Sequence, residues 1–319
     1  MSTEDAPAGD RPATILLPIA PAQIGGLPEL PAVVWRGDGP PPPQRVLDEV
    51  ELFVLPYANA AVGFPLLARM PRLRYLQSLS AGVEDVLPVL PPGVVLCNAR
   101  GVHDTGTAEL ALTLILSSLR GVPGFVRAQD AGAWGAGSRP SLADRTVLIL
   151  GYGSIGSAVE DRLLPFECEV LRVARRARTA PRGPVHDFAR LADLLPGADV
   201  VVLTLPLTEQ TRGLVDARFL AAIRDGGLLV NVARGPIVDT GALLAELERG
   251  RLAAALDVTD PEPLPAGHPL WRAPNTLITP HVGGASSAYL PRVHRLLRGQ
   301  LLRFLAGEPP ANIVAGPGG

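Results

Sequence analysis

Lysine is absent, and all 29 basic residues are arginine. That excludes a lysine Schiff base, and leaves arginine, hydroxyls or backbone N–H groups to hold any phosphate. Cysteine is scarce: Cys97 and Cys168 are far apart and form no CxxC or metal-ligand spacing. They read as small buried hydrophobes, and no metal site is expected. No apolar run reaches the ~18 residues that span a bilayer. Met1–Asp10 is acidic and small, with no basic flank leading into an apolar signal segment. A net charge of −2 supplies no strong field for nucleic acid or an anionic membrane, so neither partner is expected. A cytoplasmic enzyme is the default expectation.

What is present is apolar sequence in short pieces. With 319 residues, 47% hydrophobic and 19% charged, the chain suits two domains rather than one core. The amino-terminal third alternates short apolar runs with turn residues, at Ala13–Ala20, Ala32–Arg36, Leu52–Tyr57, Tyr75–Ser80 and Val94–Cys97. Runs of this length read as buried parallel strands, with helical stretches such as Leu66–Met70 between some of them. The GDGPPPP run from Gly37 to Pro43 is a surface loop, because proline fixes φ and lacks the N–H. A long helix is expected over Asp104–Arg120, with Asp104 as its cap. A polar, glycine-rich stretch follows. Strands are then expected at Thr146–Leu150, Glu169–Val173, Asp199–Leu205, Leu228–Val232, Ala253–Val258 and Thr276–Thr279. Helices are expected near Ile155–Leu164, Asp216–Arg224 and Gly241–Arg249. This alternation predicts parallel sheets with helices on both faces. Ala285–Leu305 reads as a last helix before a flexible Pro/Gly tail.

The segment Leu148-Ile-Leu-Gly151-Tyr-Gly153-Ser-Ile-Gly156 runs from an apolar strand through G-x-G-x-x-G into a helix. The first glycine permits the tight turn, the second lets a pyrophosphate approach, and the third lets helix and strand pack closely. The N–H groups of Ser154 and Ile155 would then meet the phosphate oxygens at the helix's positive end. The next strand ends in Ala174-Arg175-Arg176-Ala-Arg178, where an NAD site usually carries an acid about 20 residues past the glycines. A carboxylate there would repel a 2′-phosphate, whereas Arg175 and Arg176 can hold one. NADP(H) is therefore the preferred cofactor, with NAD(H) possible.

Three polar residues follow expected strand ends: Arg234, Glu262 and His281. In an open parallel sheet, ligands bind outside the carboxyl ends of the strands, so three strands can bring a cation, a carboxylate and an imidazole together. Reduction of a 2-oxo acid needs these groups. The cation holds the substrate carboxylate or polarises the carbonyl, the imidazole protonates the forming alkoxide, and the carboxylate keeps the imidazole charged.

Beyond these groups, the chain resembles the D-2-hydroxyacid dehydrogenase family, in its glyoxylate/hydroxypyruvate reductase-like form. The resemblance rests on Gly151–Gly156, Asn231–Asp239, Leu256–Pro265 and Thr279–Ser286. It is supported by Ser80–Val83, Asn98–Glu109 and Leu205–Gly213, and it covers most of the chain from about Tyr75 to Ser286. It implies an α/β fold of two doubly wound parallel-sheet domains. A Rossmann cofactor domain (99–284) is inserted into a flavodoxin-like substrate domain (1–98, with the returning helix in 285–319). It makes His281 the acid/base, Glu262 its partner and Arg234 the substrate ligand, with the backbone of Ala81 and Gly82 receiving the substrate carboxylate. Asp257 would contact the nicotinamide carboxamide, and Pro206, Thr211 and Ala233 would line the cofactor groove. Thr259 departs from the family, which often has an aromatic residue there. Catalysis would fall between the domains, and the Asp104–Arg120 helix would help form a homodimer. Formate oxidation on the same fold is disfavoured because Glu262 stands where that activity has glutamine. The remaining alternative is a catalytically silent NAD(P)-binding regulatory protein.

Overall fold

The computed structural model describes residues 14–57 and 59–317; the strand reading that starts at Ala13 therefore begins outside the described residues. The described part divides into two compact units, drawn from Met1–Val102 with Leu290–Gly319 and from His103–Tyr289.

The first unit carries five parallel strands: β1 (Thr14–Leu17), β2 (Ala32–Val34), β3 (Val50–Val54), β4 (Tyr75–Gln77) and β5 (Val95–Cys97). Their order, β5-β4-β3-β1-β2, is the flavodoxin-like 2-1-3-4-5 arrangement. The expected helix over Leu66–Met70 is a single turn, Phe64–Leu67, with Pro65 at its start.

The second unit opens with helix α1 (Asp104–Leu119), followed by α2 (Val122–Asp130). Its sheet takes β6 (Thr146–Leu150) and β7 (Glu169–Val173), with α3 (Ser154–Leu163) between them. A small antiparallel ribbon, β8 (Arg178–Ala180) and β9 (Gly183–Val185), comes next. The sheet continues with β10 (Val200–Leu203), β11 (Leu228–Asn231), β12 (Ala253–Leu256) and β13 (Thr276–Ile278). Helices α4 (Ala217–Ala222) and α5 (Thr240–Glu248) flank β11. The strand order is β13-β12-β11-β10-β6-β7, all parallel. Alternate residues of β6 and β10 point to opposite faces. Leu148, Leu150, Val201 and Leu203 enter one hydrophobic cluster, and Val147, Ile149, Val200 and Val202 enter another. Both faces of the sheet are thus covered, which explains why the strands are nearly all apolar.

The chain returns to the first unit through α6 (Tyr289–Leu305) and β14 (Ile313–Ala315). Buried Gln300 on α6 donates to Gln77 Oε1 at 2.7 Å, and β14 pairs antiparallel with β5. The two parallel sheets are the Rossmann-plus-substrate-domain architecture that the sequence implied.

Several local expectations need correction. Asp104 is not the cap of α1: His103 occupies that position and its side chain does not cap the helix, while the Asp104 carboxylate accepts from Ser154 Oγ at 3.3 Å. The polar stretch after α1 contains α2, whose Pro123 and Gly124 read as breakers although proline is compatible with a first helical turn. The Pro/Gly tail contains β14. Cys97 is buried, and burial pushes its thiol up to about 11, but Cys168 is only partly buried. Most strands after β7 end one or two residues earlier than expected, and those trimmed residues begin the loops of the site.

Candidate active site

The second sheet reverses its strand order between β6 and β10, the place where open α/β sheets leave a crevice at their carboxyl ends. The turn after β6 and the loop after β10 meet there without room for side chains. A Cβ on Gly151 (φ +109) would lie 2.6 Å from the Thr204 carbonyl carbon, and one on Gly156 would lie 2.8 Å from the Gly151 oxygen. A Cβ on Gly153 would instead meet nothing closer than 4.0 Å, because that position faces open space. The turn therefore has the clearance a pyrophosphate needs beside Gly153, with α3 beginning at Ser154, Ile155 in its first turn. The site fits a dinucleotide.

A pocket of about 450 Å³ extends from this turn. Its wall brings together Gly151, Gly153, Arg175, Arg176, Pro206 and Thr211, all expected from the sequence, with Ala174 among them. Thr211 Oγ1 donates to the Pro206 carbonyl at 2.7 Å, which shapes that side of the wall. Tyr152 and Arg178 also line it, and the sequence reading had not singled them out. Ala233 and Asp257 lie elsewhere, at the ends of β11 and β12.

Those ends carry the polar groups of the second region. At the end of β11, buried Asn231 holds a turn: its Oδ1 accepts from Ala233 N at 3.0 Å, and its Nδ2 donates to the Arg234 carbonyl at 3.0 Å. Gly235 then packs so closely on the next loop that a Cβ would fall 1.8 Å from the Thr259 carbonyl oxygen. Only glycine lets the Arg234 loop lie against the loop that leads to Glu262. Thr259, where the family often has an aromatic residue, is buried and donates from Oγ1 to the Pro261 carbonyl at 2.9 Å.

The loop after β13 is fixed by Asp257, which is 3% exposed. Its Oδ1 accepts from Thr279 Oγ1 at 2.6 Å and Val282 N at 2.9 Å, and its Oδ2 accepts from Gly283 N at 2.8 Å. A carboxylate has about four acceptor sites, so one remains for a further donor. Between these anchors sits His281 with φ +54, held by its N–H to the Asp257 carbonyl at 2.7 Å. The left-handed backbone is sustained by this network around it.

The result is a direct contact: His281 Nδ1 lies 2.5 Å from Glu262 Oε1, with side chains 46% and 39% exposed, so the pair is open to a reactant. The hydrogen bond to Glu262 raises the His281 pKa above its ordinary value. Burial opposes this, the Glu262 charge adds to it, and the Arg234 charge works against it. Burial pushes the Glu262 carboxyl up, but the hydrogen bond and charge of His281 outweigh it and the net shift is downward, helped by Thr259 N–H and the Arg234 charge. Arg234 thus acts electrostatically on both partners. The structure places Arg234, Glu262 and His281 on three neighbouring loops at one sheet edge. Ala81 and Gly82 lie in the first unit, on the turn after β4, where Asn98 Nδ2 donates to the Ala81 carbonyl at 2.7 Å.

Comparison with known proteins gives a consistent answer. The family model described as "D-isomer specific 2-hydroxyacid dehydrogenase, NAD binding domain" matches residues 112–283. The chain is 33% identical over 301 residues to a glyoxylate reductase from Aeropyrum pernix, covering 88% of each chain. Among solved structures it is similar to a D-isomer specific 2-hydroxyacid dehydrogenase from Xanthobacter autotrophicus in complex with NADPH and MES. That match has a TM-score of 0.78, 31% identity, and covers 96% of this chain and 98% of that one. It is also similar to an NADPH-dependent glyoxylate/hydroxypyruvate reductase from Sinorhizobium meliloti in complex with NADP and sulfate. Here the TM-score is 0.80 with 27% identity, covering 95% of this chain and 98% of that one.

Proposed function

Because the chain belongs to the D-isomer specific 2-hydroxyacid dehydrogenase family, we propose that it reduces a small 2-oxo acid such as glyoxylate or hydroxypyruvate, using NADPH in preference to NADH. The observation that carries this reading is the 2.5 Å contact between His281 and Glu262 within the field of Arg234.

The glycine turn and the N–H groups of Ser154 and Ile155 would hold the pyrophosphate, and the arginine cluster that includes Arg175 and Arg176 would meet the 2′-phosphate. Pro206, Thr211 and Ala233 would flank the rest, with the remaining acceptor site of Asp257 available to a carboxamide N–H. Bound NADPH supplies the two electrons and the hydrogen that reach the substrate's carbonyl carbon. Arg234 binds the substrate carboxylate and polarises the carbonyl. Glu262 occupies Nδ1 of His281, so Nε2 carries the proton that goes to the carbonyl oxygen. Ala81 and Gly82 would offer backbone N–H groups to the carboxylate. The resulting 2-hydroxy acid leaves a neutral imidazole that regains its proton from water.

The proposal extends to a cytoplasmic homodimer. Helix α2 buries none of its residues, and Val122, Phe125 and Val126 on it are exposed, as is Trp134 at 98%. Beside it lies a pocket of about 640 Å³ lined by Leu119, Leu277 and Trp271 among others. An exchange of such arms between two copies would cover both surfaces. Light scattering should give the mass of two chains.

The test of the function is initial-rate kinetics on a panel of 2-oxo acids with each nicotinamide cofactor. Turnover of glyoxylate or hydroxypyruvate, faster with NADPH, is expected. Bound NADPH without turnover of any panel member would overturn the enzyme reading in favour of a regulatory protein.

A further inference from the structure

Three arginines line the pocket beside the glycine turn, and they are held differently. Arg175 and Arg176 sit on the exposed bend after β7, and among the described residues neither has a hydrogen-bond or ion-pair partner. Arg178 instead begins the β8–β9 ribbon, in register with Val185. Its Nη2 donates to the carbonyl oxygen of Tyr152, and its guanidinium carbon lies 5.9 Å from the centre of the Tyr152 ring.

Tyr152 is itself anchored. It stands between Gly151 and Gly153 and is 7% exposed. Its hydroxyl donates to Glu160 of α3, which is 0% exposed. Glu160 also takes the Arg172 guanidinium, with Nε at 3.0 Å, and Arg172 lies 5.9 Å from the same tyrosine ring. The buried carboxylate is therefore neutralised by Arg172 and does not cancel the charge of Arg178. Its two oxygens tie α3, β7 and the glycine turn to one another.

We propose that Arg178 is the residue that decides for NADPH by taking the 2′-phosphate, and that Tyr152, Glu160 and Arg172 are its positioning residues. This rests on the NADPH reading above and names the group that carries it. A guanidinium already tethered by one N–H gives up less side-chain freedom when it binds a phosphate than an extended one. Its remaining N–H groups suit two of the three terminal oxygens of a phosphomonoester. Arg175 and Arg176 then supply positive field at the mouth of the pocket.

The experiment is equilibrium binding of NADP+, NAD+, 2′-phospho-AMP and AMP by calorimetry, on wild type, Arg178→Gln, Arg175→Gln, Arg176→Gln and Tyr152→Phe. Thermal melting is recorded for each to establish that it folds. Arg178→Gln should weaken NADP+ and 2′-phospho-AMP by about 10–100-fold, the scale of a lost charge-assisted hydrogen bond. NAD+ and AMP should be unchanged, and the two neighbouring variants should lose less. Tyr152→Phe should fall between wild type and Arg178→Gln for the phosphorylated ligands alone, which a purely structural tyrosine would not do. A wild type that prefers NADP+, with Arg178→Gln no weaker than its neighbours' variants, overturns this assignment and leaves the NADPH reading intact. A wild type that binds NAD+ as well as NADP+ overturns both.

Discussion

The two ends of the second sheet's carboxyl edge are built in contrasting ways. At the β11–β13 end, three loops interlock through backbone. Asn231 closes one turn, Gly235 admits the next loop, and Asp257 ties down the segment that presents His281. At the β6–β7 end, the glycine turn is equally tight, but the charges beyond it, Arg175 and Arg176, stand on exposed chain. The difference matches the tasks. Proton transfer depends on atoms placed within hydrogen-bond reach, whereas a positive field at the pocket mouth, the part given to Arg175 and Arg176, tolerates a mobile cation and depends mainly on charge. Substitutions at the first end should therefore cost turnover, and substitutions at the second should redistribute cofactor preference.

The largest effect should come from His281→Ala. Without the proton donor, kcat should fall by about 10²–10⁴-fold, while NADPH affinity measured by fluorescence titration stays within error of wild type. A kcat near wild type would break the comparison at its stronger side. Arg234→Ala should come next, lowering kcat/KM by about 10²-fold through both KM and kcat, because one guanidinium serves carboxylate and carbonyl. A change confined to KM would limit Arg234 to binding. The smallest effect belongs to the other end. Ala174→Asp, at a position 8% exposed on the pocket wall, should move the NADPH-to-NADH ratio of kcat/KM about tenfold toward NADH. A parallel loss with both cofactors would mean that the substitution disturbs the wall rather than the charge.

The same contrast explains what the sequence made legible. Strand β6 was located to the residue because the apolar run Val147–Leu150 stops at Gly151, and β7 because Val170, Leu171 and Val173 stand between the polar Glu169 and the arginines after Ala174. Arg234, Glu262 and His281 were found because polar residues directly after such runs fall on one sheet edge. Their mutual contact was not legible. It depends on Gly235 clearing the Thr259 carbonyl and on Asp257 accepting three bonds from a loop 22–26 residues later, and neither has a periodic signature. The reading of Asp104 as a helix cap failed because a competing partner, Ser154, lies 50 residues away in the chain. The β8–β9 ribbon was missed because Arg-Thr-Ala-Pro-Arg-Gly-Pro-Val contains two prolines and little apolar sequence, which reads as loop. Helix α2 was missed because its helical preference is weak and the described chain covers none of its apolar residues.

The central claim is that Glu262 keeps His281 charged so that it can protonate the substrate. The most direct test is the pH dependence of kcat/KM for 2-oxo acid reduction in wild type and Glu262→Gln. Reduction needs the protonated imidazole, so the rate should hold at low pH and fall as pH rises through the His281 pKa, which Glu262 raises. In Glu262→Gln the hydrogen bond to an anion and its charge are gone, and the fall should move to lower pH. A fall at the same pH in both proteins would contradict the account.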